Sequence, residues 1–440
     1  MRKLLVALSL LLLAAGAMMM VGVSTEPAWT TASDEARTSF EEGLAARMKY
    51  YHPEAKELFE RAVELDPEFA AAKLYLSFYE QDWERRQELR DELGGAPLDR
   101  LTARERFLVE FHSAMWDRDL ERALEIGRSY VESHPRDPFG LSHLADLFWE
   151  EQDWEEAARL YRELLDIAPN WVTAQNRLGY IALAQGRFEE AEEHFKTYQY
   201  IAPDQANPHD SMGELLVLLG RYEEARRSFE RALEIHPDFC STYQHMLDLV
   251  VMQGDLELGE TILQRAGAHC SERMVETLRC ALLIWEDFLR GQAERVWQEE
   301  RAECRRVMGE HNFLLHRTAA TTGRLEIAEQ AERELERRID AAEEAHHVRL
   351  DFPRALLLHM RGTRMLTQGE YEAAVEAFRE ADDRLLYWGE GQGILKLYNQ
   401  LNLAFAQEKL GRTEASERTL ERIAAVNPRF AATYPNSVHM

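Results

Sequence analysis

A few late histidines and glycines, and four cysteines, are the residues whose types and spacing could do chemistry. His311 and His316 are five positions apart. On a helix that is about 140° of rotation, poor geometry for two ligands of one metal ion. Glu343 and His347 share a helical face, with His346 beside them, but a surface helix rich in Ala, Glu and His explains them equally well. The stretch GEGQG, Gly389 to Gly393, resembles a phosphate-cradling loop. Such a loop of the dinucleotide type follows a strand and opens a helix of a βαβ unit. Here it follows the helical pattern DDRLLYW, so it reads as a hinge between two long helices. No Ser, Cys or Lys stands in a nucleophile motif. The expectation is therefore no catalytic residue, no metal and no cofactor, with an enzyme as a reading that lacks a supporting motif.

The cysteines invite a different chemistry. Cys240, Cys270, Cys280 and Cys304 lack the CxxC spacing of a zinc ribbon. Cys240 and Cys270 are equidistant from Asp255, beside a turn at Gly254, and Cys280 and Cys304 are equidistant from Gln292, beside Gly291. In an antiparallel helical hairpin, residues equidistant from the turn lie at the same height. The spacing therefore predicts Cys240–Cys270 and Cys280–Cys304 disulfides. Cys270–Cys280, across an inter-repeat turn, competes, and buried thiols are the ordinary alternative.

The rest of the chain must supply the elements that position these residues. It has 440 residues, a formal net charge of −27, 45% apolar and 30% charged residues. That length ordinarily means two or three domains. The acidic balance argues against nucleic acid, whose phosphates are neutralised by Lys and Arg. Arg2 and Lys3 precede an uncharged, largely apolar run from Leu4 to Val23, the pattern of an export signal. Ala15-Gly16-Ala17 offers a cleavage site, yet 20 residues at about 1.5 Å each could also span a bilayer core. Residues 1–24 thus read as a cleaved signal or an uncleaved anchor, and 25–35 as a polar linker. Either way the remainder is exported, to the periplasmic or extracellular side, and meets membrane only through this segment.

A period of 34 organises the chain beyond the linker. Gly213, Gly220, Tyr222, Ala225, Phe229, Ala232 and Pro237 mark one unit. Gly179, Gly186, Phe188, Ala191, Phe195, Tyr198 and Pro203 mark the preceding one, and Ala145, Gln152, Trp154, Ala157, Tyr161, Leu164 and Pro169 the one before. Each reads as two helices around a glycine turn, closed by proline. A single hairpin cannot bury its apolar face; stacked copies can.

These residues resemble the tetratricopeptide repeat, best in 138–171, 172–205 and 206–239, with fair units from 36 and a degenerate one near 70–103. Beyond a soft boundary near 307, turn glycines Gly323, Gly369 and Gly411 fall 46 and 42 apart. There the expectation is longer, irregular hairpins to residue 430, then a tail, 431–440. The fold class expected is all-α, a right-handed α-solenoid of about ten hairpins. The resemblance implies a non-catalytic scaffold or adaptor whose first helices line a concave groove for a peptide or partner protein. In that groove stand Asp146, Tyr180, Glu214 and Asp248, and one turn earlier Ser142, Asn176, Asp210 and Gln244. The carboxylates would repel an acidic tail and attract a basic segment; Arg177 and Asn176 alone would attract a carboxylate. The bland alternative is a solvated helix face. Trp154 falls at a core position, while Trp149, one past core-facing Phe148, is the expected exposed anchor. The rival to a scaffold is a sensor or carrier closing on a small ligand, in one deep pocket between the regular and irregular arrays.

Overall fold

The period of 34 appears in the backbone as a recurring left-handed residue. In the computed structural model, which describes residues 28–309, 312–344, 350–388 and 391–432, positive φ occurs at Tyr50, Arg118, Gln152, Gly186, Gly220 and Gly254. All lie on one register of 34; position 84, in the degenerate unit, is the one that drops out. Each such residue ends a first helix. At Gly220 (φ 71°), Gly220 N–H donates to Val217 and Arg221 N–H to Leu216, closing the helix before the chain reverses. Tyr50, Arg118 and Gln152 accept a conformation that glycine reaches without strain.

The described residues are all-helical, with 23 α-helices and no strand. In chain order they are α1 (Asp34–Met48), α2 (His52–Leu65), α3 (Ala70–Tyr79), α4 (Trp83–Gly94), α5 (Ala103–Trp116), α6 (Leu120–Ser133), α7 (Pro138–Glu150) and α8 (Trp154–Ile167). Then come α9 (Val172–Ala184), α10 (Phe188–Ile201), α11 (Asn207–Leu218), α12 (Tyr222–Ile235), α13 (Cys240–Gln253), α14 (Leu256–His269), α15 (Glu272–Leu289) and α16 (Ala302–Met308). The last are α17 (Phe313–Thr321), α18 (Leu325–Glu344), α19 (Asp351–Thr367), α20 (Tyr371–Arg384), α21 (Gln392–Lys409), α22 (Thr413–Val426) and α23 (Pro428–Ala431). They form two compact units, one ending at Leu144 and one starting at Ala145. The sequence boundary near 307 lies inside the second.

One contact builds the hairpins. Gly43, Gly179, Gly213 and Gly362 each face the Phe ring sixteen residues later: Phe59, Phe195, Phe229 and Phe378. A Cβ on any of them would collide with that ring. All four rings are fully buried. Small residues on the second helices, such as Ala191 and Ala225, are also fully buried and let the helices approach.

In the first unit the stretch read as a polar linker is packed. Trp29 is 3% exposed and meets Phe40, Phe69 and Phe139 edge-on, at 4.8, 6.5 and 5.4 Å between ring centres. Thr30 N–H donates to the fully buried Glu105 carboxylate at 2.9 Å. An indole with four polar neighbours in sequence escapes a periodicity search because it belongs to no helix. Residues 1–27 lie outside the described residues, as does 433–440. Among the described residues no helix is long and apolar enough to cross a membrane.

In the second unit the C-terminal helices pack back onto the regular repeats. One apolar core holds Leu216, Val250 and Leu282 together with Leu397, Leu401, Ile423 and Phe430. Asn427, fully buried, caps α23 through Phe430 N–H and donates to the Val217 carbonyl and the Tyr222 hydroxyl, each at 3.3 Å.

Candidate functional site

The first helices α9, α11 and α13 carry the expected ladder, and their side chains bond from one repeat to the next. Ser211 donates to Asn176 Oδ1 (3.1 Å). Tyr180 donates to Glu214 Oε1 (2.6 Å). Thr242 donates to Asp210 Oδ1 (2.7 Å), and His245 Nδ1 lies 3.0 Å from the same oxygen. His245 Nε2 is 4.0 Å from Glu214 Oε2. Burial pushes the His245 imidazolium down, but Asp210 and Glu214 outweigh it and hold its pKa at about 10. Burial raises Asp248 to about 6, against the pull of the His245 charge. Burial, with the Glu214 charge, also keeps the Tyr180 phenol well above its ordinary range.

The ladder is therefore neither an open acidic strip nor a solvated face. Asp210 is 3% and Asn176 4% exposed. Tyr180, Glu214 and Asp248 are half-buried, and Gln244 alone of these is exposed. Two charges that looked free neutralise each other: Asp146 accepts from Tyr161 (2.6 Å) and lies 3.8 Å from Arg177. Ligand atoms of Asp210, Glu214 and His245 fall within 4.8 Å of one another, close enough for a metal ion. An imidazolium has no lone pair to give, so at neutral pH the proton holds that place.

Trp149 corrects the expectation most sharply. It is 3% exposed, not a free anchor. Its ring meets Trp154 at 5.5 Å and 81°, and into this corner comes Trp388, at 4.7 Å from Trp149 and 5.2 Å from Trp154. The Arg177 guanidinium stands 4.5 Å from the Trp149 ring. Tyr387 packs edge-on against Phe188 at 5.2 Å. Trp388 and Tyr387 belong to the non-helical connection between α20 and α21, and both are half-buried. They stand 239 and 199 residues from the rings they touch. The sequence signal available was an aromatic pair outside any helical period, directly before a glycine-rich turn.

Past Trp388 the connection continues over the acidic groups. Glu214, His245 and Asp248 floor a cavity walled by Leu183 and Leu218 and closed by Gly391, Gly393 and Ile394. Its volume is about 30 Å³. That is room for a water or two, against roughly 300–1,000 Å³ for a ligand pocket. It lies between regular and irregular hairpins, as the carrier reading requires, but no residue near 307 lines it.

The other sequence candidates are dispersed. His316 is buried against Glu332 (2.9 Å), and Arg364 pairs with that carboxylate. Glu343 pairs with Arg354 at 2.9 Å. His311, His346, His347 and Gly389 lie outside the described residues. Gly391 (φ 79°) begins α21 rather than cradling an anion. Cys240 and Cys270 form a disulfide with Cα atoms 5.8 Å apart, and Cys280 and Cys304 one at 4.9 Å. The second lies in an apolar cluster with Ile284, Val296, Leu314 and Leu315.

Known proteins match along the same lines. Family models described as tetratricopeptide repeat match residues 172–238 and 141–170. A tetratricopeptide repeat protein from Parabacteroides merdae is 17% identical, over 62% of this chain and 99% of its own, with a TM-score of 0.35. A structure from the functional characterization of Pseudomonas aeruginosa pilF is 16% identical, over 53% and 90%, TM-score 0.31. MamA from Desulfovibrio magneticus RS-1 is 17% identical, over 40% and 94%, TM-score 0.33. No curated protein matches.

Proposed function

The chain is a tetratricopeptide repeat protein, and we propose that it is a scaffold or adaptor, exported behind its N-terminal segment, that takes a peptide or partner protein on the inner face of its regular repeats. Proteins of this family are generally non-catalytic scaffolds that bind protein partners. The observation that carries the reading is the connection from Leu385 to Ile394: the inner face of α7 to α13 receives a non-helical segment, aromatic side chain by aromatic side chain, as it would receive a ligand. The Arg2-Lys3 start and the apolar run to Val23 support export.

A photo-reactive amino acid at Gln244, exposed beside this face, should capture a discrete partner in the native cells. The same group at Tyr200, 86% exposed on the second helix α10, should not. Equal capture from both positions, or none from either, would remove the reading. Export has its own test: a reporter enzyme that works only outside the cytoplasm, fused after Ser24, should be active.

A further inference from the structure

The connection between α20 and α21 fits the face it covers in shape but not in charge. Its rings are matched. Trp388 fills the corner of Trp149 and Trp154, and Tyr387 lies on Phe188 beside the bare turn at Gly186, where even an added Cβ would stand 3.8 Å away. Its next residues are not. Under Gly391 and Gly393 lie Glu214 and Asp248, with Asp210 behind them, and the single imidazolium of His245 leaves this group net negative. From Leu385 to Leu395 the chain offers no Lys or Arg to answer it. A Cβ built on Gly391 meets nothing within 4 Å, so a side chain there has open space. Lys396, the next cation, is turned the other way, donating to the Asp382 and Leu385 carbonyls at 2.5 and 2.7 Å.

We propose that this face is the partner-binding surface, that residues 385–394 hold it as a weaker stand-in, and that the partner is an extended segment bearing two adjacent aromatic residues followed three positions later by Lys or Arg. The inference rests on the scaffold reading and adds the partner's chemistry and its competition with the chain itself. Trp388 is half-buried over a Trp149 that is 3% exposed, so the stand-in is the outer layer and can leave first. A segment with the same rings and a cation over Glu214 and Asp248 keeps the aromatic contacts and adds a charge pair that the resident lacks.

The test uses the exported chain, with its disulfides, and two synthetic peptides. One copies residues 385–395; the other carries Gly391→Lys. Binding is read by fluorescence anisotropy against wild type and Trp388→Ala. Trp388→Ala should bind the lysine peptide at least about tenfold more tightly than wild type, because the seat is no longer held by its own occupant. The lysine peptide should also outbind the parent at low salt and lose that advantage near 1 M, where the Debye length is about 3 Å. Equal binding of both peptides would overturn the charge part, and no binding to a folded Trp388→Ala would overturn the whole inference. If Trp388→Ala does not fold, Trp388→Phe, which keeps a smaller ring, takes its place under the same criteria. Capture from Gln244 in cells combined with peptide failure would sink this inference and leave the scaffold reading standing; loss of both would sink the two together.

Discussion

The hairpin α11–α12 and the hairpin α19–α20 are built on one contact and differ in what surrounds it. Gly213 lies under Phe229 in the first and Gly362 under Phe378 in the second. But α11 has 12 residues and α19 has 17. In the regular part, left-handed residues recur at Gln152, Gly186, Gly220 and Gly254, one per 34 positions. Later they fall at Gly323, Gly369 and Gly411, with no fixed interval. The contact inside a hairpin sets how two helices pack, while the interval between hairpins sets where the next one goes. Constant intervals give stacking on neighbours. Broken intervals let α21 to α23 and the connection before them turn back and cover α9 to α13.

The largest test of the shared device is to remove its ring. Phe229→Ala and Phe378→Ala should each cost about 3–5 kcal/mol in urea unfolding, since both empty a fully buried site. A far smaller loss at Phe378 would mean that the irregular hairpin is held by something else. Next come the cross-links, found only in the transition between the two regions. Reducing Cys240–Cys270 and Cys280–Cys304, which close 30 and 24 residues, should cost about 2–4 kcal/mol each. Hydrogen exchange should rise first in α13 to α16; a rise confined to the first unit would contradict this.

A smaller effect separates stacking from return. Gly220 and Gly254 have φ of 71° and 70°, so alanine at either costs about 1–2 kcal/mol of left-handed strain. Nothing lies within 4 Å of a Cβ at Gly254, whereas one at Gly220 would strike the Asn427 side chain. Gly220→Ala should therefore be the worse substitution, and its excess should vanish in an Asn427→Ala background. An excess that survives there would deny the Asn427 contact.

The gentlest test is pH. The raised Asp248 carboxyl binds its proton more tightly folded than unfolded, so stability should fall as pH climbs from about 4 to about 6. The raised His245 adds stability that is complete below about 6.5 and is lost as pH rises through about 10. Asp248→Asn should flatten the acid-side fall and leave the alkaline one. An unchanged acid limb would show that Asp248 ionises freely.

Local features of this molecule were legible in its sequence. The glycine turns, the Phe-bearing second helices and the height-matched cysteines each depend on residues within one hairpin, and periodicity reports one helix face at a time. Trp149 was misread because the ring covering it arrives from position 388. Asp210 and Asp248 were read as a strip in water because neither His245 bridging the repeats nor the covering connection belongs to the 34-residue frame. Trp29 was missed for a related reason: its partners lie on α1, the α2–α3 turn and α7, and its own segment has no period.

The central claim is that the chain's own aromatic connection occupies the inner face of its regular repeats. The most direct measurement replaces Trp388 by a benzophenone-bearing amino acid, irradiates dilute protein and maps the product by mass spectrometry. The expected product is an intramolecular cross-link to peptides containing Trp149, Trp154 or Phe188. A cross-link confined to neighbouring residues of α20 and α21, or none at all, would contradict it.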